Sequence, residues 1–179
     1  IKINKPLVIV ANGDFPKNSI PLEILNKAKF IICCDGAIDL ISKKGFTPNL
    51  VIGDLDSISK SAIKKYKDII LKISNQNEND LRKAINFCRK NNVNKLSIIG
   101  ASGKREDHLM GNIFSLFKYP EIKIKIFTDT GTFELINKSK KIKSFPGQKI
   151  SFFSQDSSIK IKSNNLKYNF NKNSLKYLF

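Results

Sequence analysis

The sequence contains no tryptophan, one methionine and one histidine. Arginine is also scarce, because Arg82, Arg89 and Arg105 stand among 32 basic residues that are otherwise lysine. No apolar run reaches the ~18–20 residues that a membrane span needs, so the sequence predicts no transmembrane segment. The single histidine gives no support to a Ser-His-Asp or Cys-His hydrolase beyond its presence.

Cysteine is limited to Cys33, Cys34 and Cys88, without CxxC or Cys/His metal spacing. Cys33 and Cys34 lie inside an apolar run, so we expect buried, reduced thiols. Reduced thiols are typical of a reducing compartment, which favours the cytoplasm.

The formal net charge of +17 is typical of proteins that bind nucleic acids or membrane surfaces. Base and phosphate recognition favours arginine, however, and the lysines are spread along the chain rather than clustered. We therefore predict a solvated basic surface with no nucleic-acid or membrane partner. A basic nucleic-acid-binding module remains the non-enzyme alternative.

The first part of the chain alternates short, β-branched apolar runs with segments of helical period. Continuously apolar strands separated by helices predict an α/β fold with a parallel, Rossmann-like sheet covered on both faces. The predicted strands are 7–12, 30–35, 50–54, 68–73, 95–100 and 124–129, and the predicted helices lie near 21–28, 36–44, 59–67, 79–91 and 106–118.

The pattern changes after residue 128 to short alternating segments with no helical period. They predict strands over 132–139, 149–155, 158–163 and 166–171. We therefore predict an α/β domain over 1–128 and a smaller all-β sandwich domain over 129–179. The second domain has few strands for a closed sandwich, so we expect it to be incomplete. The chain starts at Ile1 rather than Met, which suggests a trimmed N-terminus.

Polar, mostly acidic segments follow five consecutive predicted strands. Ligands of open α/β sheets bind at the carboxyl ends of the strands, so these segments predict one shared site. The segments are Asn12-Gly13-Asp14, Asp35-Gly36-Ala37, Gly53 to Ser57, Gln76 to Asp80 and Gly100 to His108.

Asp54 and Asp56 follow the third strand two positions apart. In an extended segment such residues point to the same side, and neighbouring carboxylates repel unless a cation lies between them. Mg²⁺ suits such a pair, because it binds one or two carboxylates plus substrate phosphates. The alternative is a simple turn in which Ser57 caps the next helix.

Asp80, Arg105 and Asp107 stand at or near predicted helix starts. Each has a structural alternative: a favourable helix-dipole contact for Asp80, a surface position for Arg105 and an N-cap for Asp107. As a functional group, Arg105 would clamp phosphate oxygens while backbone N–H groups of its loop add donors. The loop that contains Arg105 has neither the Walker A nor the G-x-G-x-x-G spacing.

Taken as a set, these loops resemble the thiamine pyrophosphokinase family. The resemblance covers roughly residues 7–128, and "FPGQKISFF" and "NLKYNF" look like that family's β-domain. The matching blocks are "ANGDFP", "CDGAIDLI", "GDLDS", "QNENDLRKAI" and "GASGKREDHLMGN".

The resemblance implies Mg²⁺-dependent transfer of the pyrophosphoryl group of ATP to the hydroxyl of thiamine, giving thiamine diphosphate and AMP. It also implies a homodimer with active sites between subunits. The implied metal ligands are Asp54, Asp56 and Asp80, which also count as catalytic together with Arg105 and Asp107. The implied ATP- and substrate-binding residues are Asn12, Asp35, Gly36, Ser57, Gln76, Asn79, Gly103, His108 and Asn112.

The sequence departs from the family pattern at several positions. Asn79 replaces a usual Thr, Ala37 replaces the second Gly of a "DGG" block, and Lys104 replaces a Gly. The family's late Ser-Asn-Glu-like block and its thiamine-contacting aromatic are missing. The proton acceptor stays open between Asp107 and Asp80, and a phosphohydrolase with Asp54 as nucleophile is the alternative enzyme.

Overall fold

The structure, a computed structural model, describes residues 2–175 and divides the chain into two compact units. The first unit ends at Ser139 and the second begins at Lys140, later than the predicted boundary at residue 128. The boundary moves because strand Thr132–Glu134 pairs antiparallel with strand Lys123–Phe127 and so belongs to the first sheet.

The first unit alternates strands and helices in the predicted order. Its elements are β1 (Leu7–Val10), α1 (Ser19–Asn26), β2 (Phe30–Cys34), α2 (Ala37–Lys43), β3 (Leu50–Gly53), α3 (Lys60–Tyr66), a 3₁₀ turn (Lys67–Ile69), β4 (Ile70–Lys72), α4 (Asp80–Lys90), β5 (Lys95–Ile99), α5 (Glu106–Lys118), β6 (Lys123–Phe127) and β7 (Thr132–Glu134). The predicted α/β class is confirmed.

The sheet has the strand order β4-β3-β2-β1-β5-β6-β7, and its first six strands are parallel. The order changes direction at β1, which lies between β2 and β5. Parallel strands present their carboxyl ends at one edge, so the five polar loops meet there as the sequence predicted. In such folds the ligand crevice lies at the point where the strand order reverses.

Helices cover both faces of this sheet, which explains the continuously apolar strands. Alternate residues of one strand enter different cores: Leu7 and Ile9 of β1 pack on one face, and Val8 and Val10 on the other. The first face is covered by α4 and α5, and the second by α1, α2 and α3. None of the helices within residues 2–175 is long and apolar enough to cross a membrane.

The cysteines are buried and unpaired, as predicted. Cys33 and Cys34 lie on β2 and Cys88 on α4, within the two cores. Burial raises the pKa of the Cys88 thiol to about 12, so this thiol stays protonated at neutral pH.

The second unit contains one two-stranded antiparallel sheet among its described residues, formed by β8 (Lys160–Lys162) and β9 (Asn171–Ser174). The predicted strand over 149–155 does not form, and Phe153 in it is exposed. Residue alternation indicates a strand only where a neighbouring strand is available for pairing, and residues 149–155 have no such neighbour in the part described. The complete sandwich therefore stays a prediction.

Candidate active site

The loops after β1 and β5 touch along their backbones at the carboxyl edge of the sheet. The Gly13 N–H donates to the Gly100 carbonyl at 2.7 Å, and the Asp14 N–H donates to the Ser102 carbonyl at 2.8 Å. A Cβ atom on Gly13 would lie within 3.0 Å of both carbonyl oxygens. Glycine is therefore required here by the close approach of the two backbones.

We expect Gly13→Ala to lower the free energy of unfolding by roughly 1–3 kcal/mol, because backbone atoms cannot move aside as a side-chain tip can. Gly111→Ala on α5 is the control, since a Cβ there would meet nothing within 4 Å. This replacement of a helical glycine by alanine should instead raise the free energy of unfolding by about 0.5–1 kcal/mol. Denaturant unfolding measures the free energy of unfolding of both variants. Equal values for the two would contradict a requirement for glycine at position 13.

Three carboxylates from different elements form a cluster at this edge. One oxygen each of Asp35, Asp54 and Asp80 lies within 4.8 Å of the others. Asp35 directly follows β2, Asp54 directly follows β3, and Asp80 is the first residue of α4. The fold therefore brings together residues that are far apart in the sequence.

Asp35 is the buried member of the cluster, at 2% exposure. Its Oδ1 accepts the Leu55 N–H at 3.0 Å, and its Oδ2 accepts the Ser57 N–H at 2.9 Å. Asp35 therefore holds the loop after β3 in place. Sequence analysis predicted it as a binding residue and missed this positioning role.

The prediction that Asp56 lies on the same side as Asp54 through an extended segment is wrong. Leu55 between them has a positive φ of 77°, so the chain turns instead of continuing the strand. Asp56 is exposed, and its backbone N–H donates to Asp54 Oδ1 at 3.3 Å. Its side chain lies outside the three-carboxylate cluster, so its role as a ligand stays a prediction.

Asp80 begins α4 beside its cap, because the Asn79 side chain accepts the Arg82 N–H at 2.9 Å. The helix N-terminus therefore faces the cluster with its positive end, which favours a carboxylate there. Burial and the neighbouring carboxylates nevertheless raise the pKa of Asp80, against the opposing effect of Lys83.

Lys83 is a site residue that sequence analysis missed. Its side chain is 1% exposed, and its Nζ lies 2.9 Å from Asp80 Oδ1 and 3.5 Å from Asp54 Oδ2. Burial disfavours the charged forms of both Lys83 and Asp54. The hydrogen bond from the Asp56 N–H and the nearby Lys83 nevertheless hold the pKa of Asp54 below its usual value. The sequence did contain a signal for it. Lys83 follows Asp80 by three positions, and residues three apart on a helix are neighbours.

Other predicted binding residues surround this cluster. Gln76 Nε2 donates to Asp54 Oδ2 at 3.4 Å. A Cβ atom on Gly36 would lie within 3.0 Å of Asn12 Nδ2 and of the Ser57 carbonyl oxygen, so these three residues meet closely. The structure therefore places Asn12, Gly36, Ser57 and Gln76 at the same edge as the carboxylates.

Asn112 links two of the loops from inside the protein. It is 7% exposed, and its Nδ2 donates to the Ala101 carbonyl at 2.9 Å. Its Oδ1 accepts from Asn79 Nδ2 at 3.4 Å. Both Asn79 and Asn112 were predicted as binding residues, and both are engaged in internal hydrogen bonds that position α4 relative to the loop after β5.

The loop after β5 presents an exposed ion pair. Arg105 Nε donates to Asp107 Oδ1 at 3.0 Å, and a second nitrogen of the guanidinium donates to Asp107 Oδ2. This pairing lowers the pKa of Asp107 and raises that of Arg105. His108 follows on the first turn of α5 and is exposed.

A cavity of about 260 Å³ opens at the carboxyl ends of β1, β5 and β6. Asp14, Gly103, Leu109 and Asp129 are among the residues that line it. Small-molecule pockets usually enclose ~300–1,000 Å³, so this cavity has room for part of a ligand rather than the whole of one. Gly103, another predicted binding residue, therefore lies at the wall of a concave surface.

The three-carboxylate cluster fits a hard divalent cation. Mg²⁺ and Ca²⁺ prefer oxygen ligands, and each carboxylate of the cluster offers one within the 4.8 Å spacing. Lys83 supplies one positive charge against three negative ones, so the cluster keeps a negative charge that a cation would balance. Asp35, Asp54 and Asp80 are the residues able to hold it.

Fold and site together define an α/β protein with a carboxylate cluster at the carboxyl edge of a parallel sheet, where such folds bind their ligands. The family model described as "Thiamin pyrophosphokinase, catalytic domain" matches residues 22–128, which is more than half of the chain. The chain therefore belongs to the thiamin pyrophosphokinase family.

Similar proteins carry the same name. Thiamine pyrophosphokinase 2 of Arabidopsis thaliana is 27% identical over 157 residues, covering 74% of this chain and 58% of the relative. Thiamine pyrophosphokinase of Bacillus subtilis (strain 168) is 28% identical over 148 residues, covering 79% of this chain and 65% of the relative. The chain thus spans less than two thirds of the length of these relatives.

Solved structures show the same fold. The crystal structure of a probable thiamine pyrophosphokinase from Staphylococcus saprophyticus is 27% identical with a TM-score of 0.56, covering 69% of this chain and 65% of that one. Yeast thiamin pyrophosphokinase, at 18% identity and a TM-score of 0.58, shows the fold alone and covers 68% of this chain and 58% of that one.

Proposed function

We propose that this chain carries the catalytic domain of a thiamine pyrophosphokinase. The hydroxyl oxygen of thiamine forms a bond to the β-phosphorus of ATP, and the bond from that phosphorus to the bridging oxygen of AMP breaks. AMP leaves, and the hydroxyl proton passes to a base. The observation that carries the proposal is the Asp35–Asp54–Asp80 cluster, placed at the ligand edge of a family-typical sheet.

Mg²⁺ is the cation we propose for the cluster, where it would neutralise phosphate charge. The protein groups contribute mainly positioning and charge, as phosphoryl transfer requires. Asp35, Asp54 and Asp80 would hold the cation, and Arg105 would turn its guanidinium from Asp107 to the phosphate oxygens. Asn12, Gly36, Ser57 and Gln76 line the edge around them.

Asp80 and Asp107 are the two candidates for the proton acceptor. Burial raises the pKa of Asp80, whereas the hydrogen bonds from Arg105 lower that of Asp107. Both effects would change in the reacting complex, because a cation beside Asp80 favours its charged form and Arg105 would leave Asp107 for the phosphate. We therefore keep both carboxylates as proposed bases.

A homodimer that shares the thiamine site is also proposed, as the family resemblance implies. Apolar side chains of the second unit, such as Ile159 and Tyr168, are exposed and available for burial against another subunit. Light scattering of the chain at micromolar concentration tests this proposal. A cytoplasmic location and the lack of a nucleic-acid partner stay predictions from the sequence.

Formation of AMP from ATP tests the proposed function directly. We expect AMP to appear only when Mg²⁺ and thiamine are both present, in amounts equal to the thiamine diphosphate formed. AMP formation that ignores thiamine would contradict the proposal. Phosphate release from a monoester without ATP would support the alternative phosphohydrolase instead.

A further inference from the structure

Lys83 is the buried cation of the carboxylate cluster. Its ammonium group contacts Asp80 Oδ1 at 2.9 Å and Asp54 Oδ2 at 3.5 Å, and its side chain is 1% exposed. Removing an ammonium group from water is costly unless carboxylates or other acceptors replace the lost hydration. The two aspartates supply that replacement, so the position of Lys83 depends on them.

The dependence runs in both directions. Asp35, Asp54 and Asp80 place three carboxylate oxygens within 4.8 Å of one another, and like charges at that distance repel. Asp35 is held by the backbone N–H groups of Leu55 and Ser57. Asp54 and Asp80 share Lys83, which therefore keeps the repelling carboxylates together.

A divalent cation would need the same two carboxylates. Asp54 and Asp80 are two of the three groups able to hold it, so the cation and the ammonium group would lie close together and repel each other. The binding of one must then weaken the binding of the other. Lys83 thus affects both the order of the cluster and its affinity for metal.

We propose that Lys83 is a resident counter-ion that preassembles Asp54 and Asp80 and competes with the divalent cation for them. This role rests on the metal site of the proposed function. Lys83 is a positioning residue in this account, since it acts on the metal through the two aspartates. The cluster then binds cations less tightly than three unopposed carboxylates would.

The test uses Lys83→Met, which keeps the length of the side chain and removes its charge. Calorimetric titration with Mg²⁺ alone, without nucleotide, gives the metal affinity, and thermal unfolding in EDTA and in Mg²⁺ gives the stability. We expect Lys83→Met to bind Mg²⁺ at least about tenfold more tightly than the unaltered chain. We also expect a lower midpoint in EDTA and a larger rise on adding Mg²⁺.

Lys125→Met is the matched control. Lys125 on β6 pairs with Glu134 on β7 at 3.2 Å, outside the carboxylate cluster. We expect this variant to leave the Mg²⁺ affinity unchanged. A general effect of one lost positive charge would instead shift both variants equally and would overturn the proposal.

Folding of the variant does not limit the test. If Lys83→Met unfolds in EDTA and folds in Mg²⁺, the counter-ion role is supported directly. If it folds in neither, Lys83→Gln gives the same titration, because its neutral amide retains a donor for Asp80. Unchanged or weaker Mg²⁺ binding in the folded variant, or an unchanged midpoint in EDTA, would overturn the proposal.

The unaltered chain separates this proposal from the proposed function. Mg²⁺ binding by the unaltered chain with unchanged affinity in Lys83→Met refutes only the counter-ion role. Absence of Mg²⁺ binding in both proteins refutes the metal site itself. Binding that appears only in Lys83→Met supports the competition, since the ammonium group then blocks the site outright.

Discussion

Asp54→Asn is expected to lower kcat for AMP formation by roughly 100-fold or more while leaving the fold intact. Asp54 is the cluster member that meets Lys83, Gln76 and the Asp56 N–H at once. Asparagine keeps the shape of the side chain and removes the charge that would bind the cation. The lost carboxylate would act through the cation on charge that develops in the transition state. We therefore expect kcat to fall more than KM rises.

Steady-state kinetics at saturating Mg²⁺ measures this effect, and a melting curve verifies the fold. Asp68→Asn is the control, because Asp68 is an exposed carboxylate on the 3₁₀ turn before β4. It should retain full activity. Turnover within a few-fold of the unaltered chain in Asp54→Asn would show that the cluster is not the metal site.

Asp56→Asn in the same assay tests whether the Asp56 carboxylate binds the cation or whether Asp56 contributes only its backbone N–H. We expect a smaller loss than for Asp54→Asn, because the Asp56 carboxylate lies outside the cluster and its backbone N–H, which contacts Asp54, is retained. An equal loss would instead place the Asp56 carboxylate on the cation, as the sequence predicted.

Arg105→Lys is expected to lower kcat/KM by roughly tenfold or more. Lysine keeps the positive charge but loses the planar pair of donors that Arg105 uses on Asp107 and that phosphate oxygens also accept. Both side chains of the pair are 64% exposed, and exposed ion pairs add little stability. The melting temperature should therefore stay the same while activity falls.

Arg89→Lys is the matched control for this prediction. Arg89 forms a similarly exposed ion pair with Glu121 at 3.9 Å, on the last turn of α4. We expect its replacement to leave both activity and stability unchanged. If Arg105→Lys behaves like Arg89→Lys in kcat/KM, then Arg105 is an ordinary surface residue with no contact to the reacting phosphate.

The apolar runs made the α/β fold predictable from the sequence. Strands buried on both faces need apolar residues at every position, and β1, β2 and β3 are buried throughout. The apolar stripe on α4 is a signal of the same kind, since Leu81, Ala84, Ile85 and Cys88 recur at helical spacing and are all buried. These signals are local, because each residue's periodicity reflects the face on which it lies.

The sequence also located the edge at which the candidate site lies. Parallel strands place their carboxyl ends together, so polar segments after successive strands had to meet once the fold class was known. Asp35, Asp54 and Asp80 indeed come together from three such segments. The meeting of Asn12, Gly36 and Ser57 follows from the same topology.

Only the tertiary structure decided which side chains touch within that edge and which strands pair. The turn at Leu55 separates Asp56 from Asp54, and the burial of Lys83 depends on carboxylates 29 and 3 positions away in the chain, which the fold brings within 3.5 Å and 2.9 Å. Likewise β7 joins β6 although its alternation is like that of the later segments, and 149–155 finds no partner among the described residues. Sequence period determines the face on which a residue lies, whereas backbone dihedral angles in turns and contacts between distant segments determine its neighbours.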